Sequence, residues 1–368
     1  MEGQPTYKQD IRSRSLEELK QAMASLGEKP YRAGQIYGWL HQKCAMSMDE
    51  MTNVPASLRS KLQEQYHTDG PRIVRELISE IDGTRKYLFE LWDGHVIESV
   101  FMRYHHGNSV CISSQVGCAM GCAFCASTIG GRVRNLSSAE MLAQVYAITA
   151  RTKERIANVV VMGSGEPLDN YDELVRFIRM LTDENGLHIS QRSVTVSTCG
   201  LVPGIRKLAL EDLTITLALS LHASTQEKRE KLMPIARRYP LDELLEAVRY
   251  YHDRTGRRIT YEYALVAGEN DTAADAQALA KLIGAGGSHV NLIPVNPVDE
   301  TGFQSPDPAR VRRFVETLTK AGVNATVRRE MGRDINGACG QLRRGYSKSG
   351  HGDGSSVLIS PIGSGKKE

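Results

Sequence analysis

Residues 111–127 read CISSQVGCAMGCAFCAS and place four of the seven cysteines of this 368-residue chain within fifteen positions. Three of them, Cys118, Cys122 and Cys125, form a C-x3-C-x2-C pattern in a segment that contains two glycines. Three thiolates at this spacing can bind one face of an iron–sulfur cubane and leave the fourth iron without a protein ligand. A zinc site would normally need a fourth Cys or His at ligand spacing. The pattern therefore favours an iron–sulfur cluster over zinc.

The cysteine stretch begins inside the first of seven short apolar segments that have the composition of β-strands. These segments are SVCISS (109–114), NVVVMG (158–163), RSVTVST (192–198), TITLALSL (214–221), RITYEYALV (258–266), HVNLIPV (289–295) and ATVRR (325–329). Amphipathic helical patterns lie between them at 137–153, 171–183, 241–254, 272–285 and 307–322. This alternation predicts an α/β fold with a parallel sheet, either open or closed into a barrel, whose chemistry gathers at the carboxyl ends of the strands.

The sequence before residue 109 has two other patterns. The segment SLEELKQAMASLG (15–27) begins with a capping box and opens a series of helical patterns that continues to residue 65. The segment TRKYLFELWDGHVIESVFMRY (84–104) alternates apolar and polar residues around an Asp-Gly turn, which predicts a β-hairpin. These patterns divide the chain into an N-terminal helical domain (1–70), a β-hairpin linker (71–108), a core domain (109–345) and a Gly/Ser-rich, disordered tail (346–368).

Composition limits the classes of protein that fit this chain. It is 41% apolar and carries a net charge of only +3, so it can bury a sizeable core, and its overall charge neither requires nor excludes a nucleic-acid partner. Seven cysteines, an odd number with a local cluster, favour a reducing compartment over a disulfide framework. No apolar segment is long enough to span a bilayer. We therefore expect a soluble, cytoplasmic protein without membrane contact.

One C-terminal segment, RREMGRDINGACGQLRR (328–344), is rich in arginine. Such a run is either a solvated charged surface or a patch that contacts phosphate. Within it, Cys339 lies between Gly337 and Gly340, where basic neighbours would favour its thiolate. Taken alone, an inert loop cysteine is the simpler interpretation of Cys339.

Small polar residues follow three of the predicted strands. Ser197 ends one strand, Ser220 and His222 end the next, and Asn296 follows a third. One such residue would mean little, but three at equivalent strand ends predict a shared pocket. The loop MGSGEPLDN (162–170) lacks the third glycine of a dinucleotide-binding fingerprint. It either holds an amino group of a ligand or is a plain connection between a strand and a helix.

Together these motifs resemble the RlmN-type radical S-adenosylmethionine (SAM) adenosine-C2 methyltransferases of the RlmN/Cfr family. The segments SSQVGCAMGCAFCAS, MGSGEPLDN, VTVSTCG, LALSLHA, LIPVNP and GACGQLR stand in that family's order, and the resemblance extends from about residue 15 to 345. It implies a partial (β/α)6-type radical SAM barrel with a [4Fe-4S] cluster on Cys118, Cys122 and Cys125. It also implies SAM contacts by Gly165, Glu166, Ser197, Ser220, Leu221, His222 and Asn296.

The resemblance further implies the reaction and its partners. The substrates would be an adenosine of 23S ribosomal RNA and the adenosine 3′ of the anticodon in some transfer RNAs, with flavodoxin or ferredoxin as an electron donor and a monomeric enzyme. Carbon 2 of adenine is electrophilic and cannot attack a methyl sulfonium, so two SAM molecules are used per turnover. One methylates Cys339, and the second yields a 5′-deoxyadenosyl radical that takes hydrogen from the new S-methyl group.

By family position, the final steps belong to two further residues. The sulfur-bound methylene radical adds to carbon 2, Glu98 removes the ring proton, and Cys111 attacks Cys339 to form a transient disulfide and release the methylated base. Read without the family, Glu98 would be an exposed hairpin residue, and spacing does not explain Cys111. Three alternatives stay open: a Cfr-type carbon-8 methyltransferase of 23S ribosomal RNA, a radical SAM enzyme of another reaction type, and a non-enzymatic zinc-bearing module that binds RNA.

Overall fold

A computed structural model describes residues 8–284, 288–296 and 302–335. Cys339, Arg343, Arg344 and the predicted tail at 346–368 lie outside the described residues, so the predictions made for them stay predictions. Within the described ranges, no helix is both long and apolar enough to cross a membrane.

Three helices form the N-terminal part of the chain: α1 (Leu16–Ser25), α2 (Tyr31–His41) and α3 (Ala56–Gln65). The predicted capping box begins α1, because the Ser15 hydroxyl accepts from the Glu18 N–H and the Glu18 carboxylate accepts from the Ser15 N–H at 2.7 Å. Two short parallel strands, β1 (Gln9–Asp10) and β2 (Tyr66–His67), join the two ends of this helical part.

Antiparallel strands follow: β3 (Arg72–Ile78), β4 (Arg85–Glu90) and β5 (Val96–Met102). The predicted hairpin corresponds to β4 and β5, whereas β3 has no counterpart in the sequence prediction. Strand β5 then pairs with β6 (Asn108–Ile112), so the hairpin is part of the same sheet as the core. The domain boundaries at residues 70, 108 and 345 stay a prediction.

The central sheet contains ten strands and confirms the predicted α/β fold with a partial barrel. Strand β6 is followed by β7 (Gln115–Gly117), β8 (Arg132–Asn135), β9 (Ile156–Val161), β10 (Val194–Thr198), β11 (Thr216–Ser220), β12 (Thr260–Leu265), β13 (His289–Pro294) and β14 (Asn324–Val327). The sheet order is β14-β13-β12-β11-β10-β9-β6-β5-β4-β3, and within this sheet the seven strands from β6 to β14 are all parallel. Strands β7 and β8 lie outside it and form a separate antiparallel hairpin. All seven predicted strands are present.

Helices connect the parallel strands: α4 (Ser138–Thr152), α5 (Tyr171–Thr182), α6 (Val202–Leu208), α7 (Gln226–Leu232), α8 (Leu241–Thr255), α9 (Ala273–Ile283) and α10 (Pro308–Lys320). Strands β6, β9, β10, β11, β12 and β13 each lead into at least one of them, which makes six β/α units followed by β14. The apolar side chains of helices and strands form one continuous core. The carboxyl ends of the parallel strands therefore meet on one side of this core.

The turn between β3 and β4 is joined to the segment just beyond β14. The Ser79 hydroxyl donates to Asp334 Oδ1 at 2.6 Å, and the Glu80 N–H donates to Asp334 Oδ2 at 2.9 Å. In the opposite direction, the Gly332 N–H donates to Asp82 Oδ2 at 3.0 Å. Hydrogen bonds in both directions fix residues 332–334 against the antiparallel side of the sheet.

Candidate active site

A cavity of about 760 Å³ lies at the carboxyl ends of the parallel strands. Eleven of the thirteen residues that the sequence predicts for the site line it: Glu98, Cys111, Cys118, Cys122, Cys125, Gly165, Glu166, Ser197, Ser220, His222 and Asn296. The predicted shared pocket of strand-end residues is thus present as a geometric feature. A cavity of this size with a few polar groups is typical of a site for a small molecule or cofactor.

Of the two other predicted residues, one is described and does not line the cavity. Cys339 lies outside the described residues. Leu221 is fully buried, its N–H donates to the Glu262 carbonyl at 3.0 Å, and its carbonyl accepts from Arg229 Nε at 3.2 Å. The protein itself therefore uses both backbone groups of Leu221, and its contact with SAM stays a prediction.

The loop that carries the three cysteines is closed at its base by β7 and β8. The Cys118 N–H donates to the Gly131 carbonyl at 3.1 Å. Gly117 precedes this contact with φ +78°, and a Cβ atom at Gly117 would lie 2.1 Å from the same carbonyl oxygen. Only glycine fits such a backbone approach. The short β7–β8 hairpin therefore directs the cysteines between its strands into the cavity.

In the absence of a metal, the surroundings of the three thiols favour their protonated form. Burial raises the pKa of Cys118 to about 11 and also raises the pKa of Cys122 and Cys125. A bound metal cation reverses this effect because it stabilises the thiolates. In the part of the chain that the structure describes, no three Cys, His, Asp or Glu side chains are close enough to hold one metal ion. The donor set of three cysteines fits an iron–sulfur cluster, the group that uses such sulfur ligands.

Glu166 ties the loop after β9 to the neighbouring strand end. Its Oε2 accepts from the Cys199 N–H at 2.7 Å and its Oε1 accepts from the Leu168 N–H at 3.0 Å, while its own N–H donates to Gln115 at 2.9 Å. Gly165 has φ +111°, and a Cβ there would lie 2.6 Å from the Gln115 Cβ. Burial raises the pKa of the Glu166 carboxyl, and these hydrogen bonds oppose that rise. The side chains of Cys199 and Thr198 also hydrogen-bond to this carboxyl.

His222 contributes a neutral ring to the same side of the cavity. Its Nδ1 accepts from the Ala264 N–H at 2.9 Å, which leaves the proton on Nε2. Burial and the nearby Arg229 charge lower its pKa to about 3. The ring meets Phe124 of the cysteine loop edge-on, with centroids 4.9 Å apart. We call the three cluster cysteines, Glu166 and His222 the loop wall of the cavity.

The opposite side of the cavity is formed by adjacent antiparallel strands. Glu98 on β5 is 3% exposed, and its Oε2 lies 3.2 Å from Nζ of Lys86 on β4, which is fully buried. Cys111 on β6 is paired in register with Val100, two residues beyond Glu98 on the same face of β5. Burial raises the pKa of the Cys111 thiol, and the Arg328 and Lys86 charges oppose it. We call Glu98, Cys111 and the Lys86 beside Glu98 the sheet wall.

Sequence reasoning missed two charged residues of this site. Lys86 is one, and Glu262 on β12 is the other: Glu262 lines the cavity and accepts from Asn291 Nδ2 at 2.9 Å. For Lys86, the signal was the hairpin register, which places two opposite charges one diagonal step apart on the same face. For Glu262, the sequence contains only a glutamate inside an apolar strand, which is unusual without a partner.

Three exposed arginines of the predicted basic segment reach the mouth of the cavity: Arg328, Arg329 and Arg333. Glu330, which lies among them, lines the cavity as well and is 3.9 Å from Arg333. Among the described cysteines, all six are free thiols.

Comparison with known proteins agrees with this arrangement. Residues 112–283 match the radical SAM superfamily, and residues 10–67 match the ribosomal RNA large subunit methyltransferase N-terminal domain. A crystal structure of a radical SAM methyltransferase from Sphaerobacter thermophilus superimposes with a TM-score of 0.87 at 43% identity, and the match covers 90% of this chain and 98% of that one.

Two curated relatives are more similar in sequence, and each is named a probable dual-specificity RNA methyltransferase RlmN. The protein from Lachnoclostridium phytofermentans is 54% identical over 93% of this chain and 96% of its own length. The protein from Lachnospira eligens is 55% identical over 92% of this chain and 96% of its own length. On this similarity over nearly its whole described length, the chain belongs to the RlmN family of radical SAM RNA methyltransferases.

Proposed function

We propose that this enzyme methylates carbon 2 of an adenosine in 23S ribosomal RNA and of the adenosine 3′ of the anticodon in transfer RNAs. The observation that carries the proposal is one cavity in which a carboxylate, Glu98, and a thiol, Cys111, face the loop with the three cluster cysteines. A methyltransferase acting by simple displacement needs neither a cluster loop nor a second thiol. The names of the relatives, which specify dual-specificity RNA methyltransferases, support RNA as the substrate.

The cluster and SAM would be held by the loop wall. Cys118, Cys122 and Cys125 would bind the [4Fe-4S] cluster, and Gly165, Glu166, Ser197, Ser220, His222 and Asn296 would contact SAM. When bound, these groups supply a methyl group for Cys339 and a one-electron route to remove hydrogen from it. The Ser197 and Ser220 hydroxyls lie 3.3 Å apart on neighbouring strands, so one ligand hydroxyl could bond to both. Neutral His222 can donate from Nε2 without adding charge.

The sheet wall would complete the reaction once Cys339 is joined to the base. Glu98 accepts the proton from the ring carbon as a general base. As that proton leaves, the adduct gives its unpaired electron back to the electron-transfer chain. The Cys111 thiolate then attacks the Cys339 sulfur, so that a disulfide forms and the bond from Cys339 to the transferred carbon breaks with its electron pair on that carbon. This carbon takes up a proton to become the methyl group, and the methylated base leaves. The partly exposed position of Cys111 in the cavity gives it access to such an attack.

RNA would be bound around the opening of the cavity. Arg328, Arg329 and Arg333 lie at the opening, where they can contact phosphate groups. The N-terminal helical part would extend this contact, since it corresponds to a domain found in ribosomal RNA methyltransferases. We propose further that the enzyme acts as a cytoplasmic monomer and receives electrons from a flavodoxin or ferredoxin.

Two cysteine variants test the mechanism under anaerobic conditions. Cys339→Ala should abolish methyl transfer, whereas Cys111→Ala should accumulate a covalent adduct of protein and RNA that is visible on a denaturing gel. The matched control is the double variant Cys111→Ala/Cys339→Ala, which should form no adduct because the joining sulfur is missing. Free methylated RNA at the normal rate from either single variant would overturn the mechanism.

The position of methylation needs a separate measurement. We expect nucleosides from treated ribosomal and transfer RNA to contain 2-methyladenosine. The 2-methyl and 8-methyl isomers have the same mass, so chromatographic separation before mass spectrometry must distinguish them. 8-Methyladenosine would instead support the Cfr-type reaction.

A further inference from the structure

Lys86 lies beside Glu98 on the same face of the sheet, outside the cavity lining. It is fully buried, its Nζ is 3.2 Å from Glu98 Oε2, and it does not line the cavity as Glu98 does. Strand register explains the contact: Leu88 faces Glu98 across the β4–β5 ladder, which places Lys86 one diagonal step away on the same face. Lys86 can therefore act on a bound substrate only through its neighbours in the sheet wall.

Burying an ammonium group has a high cost in free energy unless the group is paired. Two well-packed apolar side chains in place of a buried ion pair often preserve or increase stability. Stability alone therefore gives little reason for Lys86 and Glu98 to be charged. Proton removal from the substrate ring gives a stronger reason, because a general base must be ionised and correctly oriented before the substrate arrives.

The same ammonium also acts on the thiol that follows Glu98 in the proposed sequence. Burial raises the pKa of the Cys111 thiol; the Arg328 and Lys86 charges oppose that rise, and the Glu98 carboxylate adds to it. When Glu98 has taken up the ring proton, the opposing negative charge is gone and the two positive charges remain. The final attack by Cys111 is thereby favoured after the proton transfer and not before it.

We propose that Lys86 is a positioning residue that holds the Glu98 carboxylate in place and directs it at the substrate ring. The inference rests on the proposed function, in which Glu98 is the base. In this proposal Lys86, which lies outside the cavity, controls the removal of the ring proton, the step that precedes product release.

The test measures the decay of the protein–RNA adduct in a single turnover, over a range of pH, for Lys86→Met, Lys86→Arg and Glu98→Gln. We expect Lys86→Met to slow the decay roughly 10- to 100-fold at neutral pH. The loss should persist across the pH range, because it comes from the lost orientation of the carboxyl. Lys86→Arg should stay near the wild-type rate, and methylation of Cys339, followed by protein mass, should be unchanged in both Lys86 variants.

The double variant Lys86→Met/Glu98→Gln guards against a folding defect in the single one, because it buries no unpaired charge. We expect it to match Glu98→Gln, since Lys86 has nothing to position once the base is gone. If the losses in decay rate of the two single variants add in the double variant, Lys86 has a structural role and the proposal is overturned. The proposal is also overturned if the adduct decays at the wild-type rate in Lys86→Met but more slowly in Glu98→Gln. Wild-type decay in Glu98→Gln would overturn the role of Glu98 and the role of Lys86 with it.

Discussion

The loop wall and the sheet wall of the cavity are built by different means. The loop wall depends on short-range features, namely cysteine spacing, a glycine that permits close backbone approach, and a carboxylate bonded to backbone N–H groups. The sheet wall depends on the register of three adjacent strands, which brings together Lys86 on β4, Glu98 on β5 and Cys111 on β6. Local sequence thus specifies one wall, and strand pairing specifies the other.

The two walls also differ in charge. Burial favours the neutral forms of the cluster thiols and of the His222 ring. The cluster thiols would become charged thiolates only when a metal group binds. The sheet wall contains its own compensated pair of charges. We therefore expect changes in the loop wall to alter what the enzyme can bind. Changes in the sheet wall should alter which chemical steps it can finish.

The largest expected effect follows from removing a cluster ligand. Cys118→Ala should reduce iron from about four atoms per chain to less than about one, with loss of all methyl transfer. Cys199→Ala is the control, because Cys199 is a buried thiol that lines the same cavity but lies outside the C-x3-C-x2-C pattern. Iron analysis and absorption spectra of anaerobically purified protein measure the result. Equal iron loss in both variants would contradict the assignment of the ligands by spacing.

A smaller effect is expected from the glycine at the base of the cysteine loop. Gly117→Ala should lower the free energy of unfolding by at least about 3 kcal/mol, because it combines a left-handed backbone with a clash against the Gly131 carbonyl. Gly130→Ala is the matched control: its φ is +92°, but no atom lies within 4 Å of the added Cβ. It should lose only about 1 kcal/mol. Urea unfolding of both variants measures the difference, and equal losses would rule out the clash.

The smallest expected effect concerns the neutral ring of the loop wall. The folded-state pKa of His222, about 3, lies below the unfolded value of about 6.5, so the unfolded chain binds more protons below pH 6.5. Stability is complete above that pH and falls with acidification, by about 2 kcal/mol for this group between pH 7 and 5. His222→Asn should remove this part of the acid sensitivity.

A second buried histidine, outside the cavity, tests whether the pH dependence comes from burial alone or from the position of the ring in the cavity. The pKa of His41 on α2 is also lowered to about 3, mainly by burial. His41→Asn should therefore reduce the pH dependence of the urea midpoint as much as His222→Asn does, with no effect on SAM binding. If the pH dependence of the urea midpoint is unchanged in both variants, burial does not lower the pKa of these two histidines as stated.

Much of the fold could be predicted because long, regular segments have clear periodicity. The seven parallel strands and helices α4, α5, α8, α9 and α10 were predicted within a few residues. Helices α6 and α7 contain only seven residues each, which is too short for a helical period to be recognised. Strand β3 was missed because its sequence, RIVRELI, does not alternate and most of its residues are half-buried.

The sequence predicted more residues of the loop wall than of the sheet wall. The positions of the cysteines and strand ends follow from spacing and topology, so their presence in one cavity could be inferred. Glu98 was located by family resemblance, since a glutamate in a hairpin is normally exposed. Lys86 could not be found in this way, because its burial depends on a partner supplied by another strand.

The joint between the β3–β4 turn and residues 332–334 has a consequence for biosynthesis. Ser79 and Asp334 are 255 positions apart. At roughly 5 to 20 residues per second, a ribosome needs about 13 to 50 s to make the intervening chain. During this interval the turn between β3 and β4 exists without its partners at residues 332–334. These hydrogen bonds can form only after residues 332–334 have been made, and a chain that ends before Gly332 cannot make them.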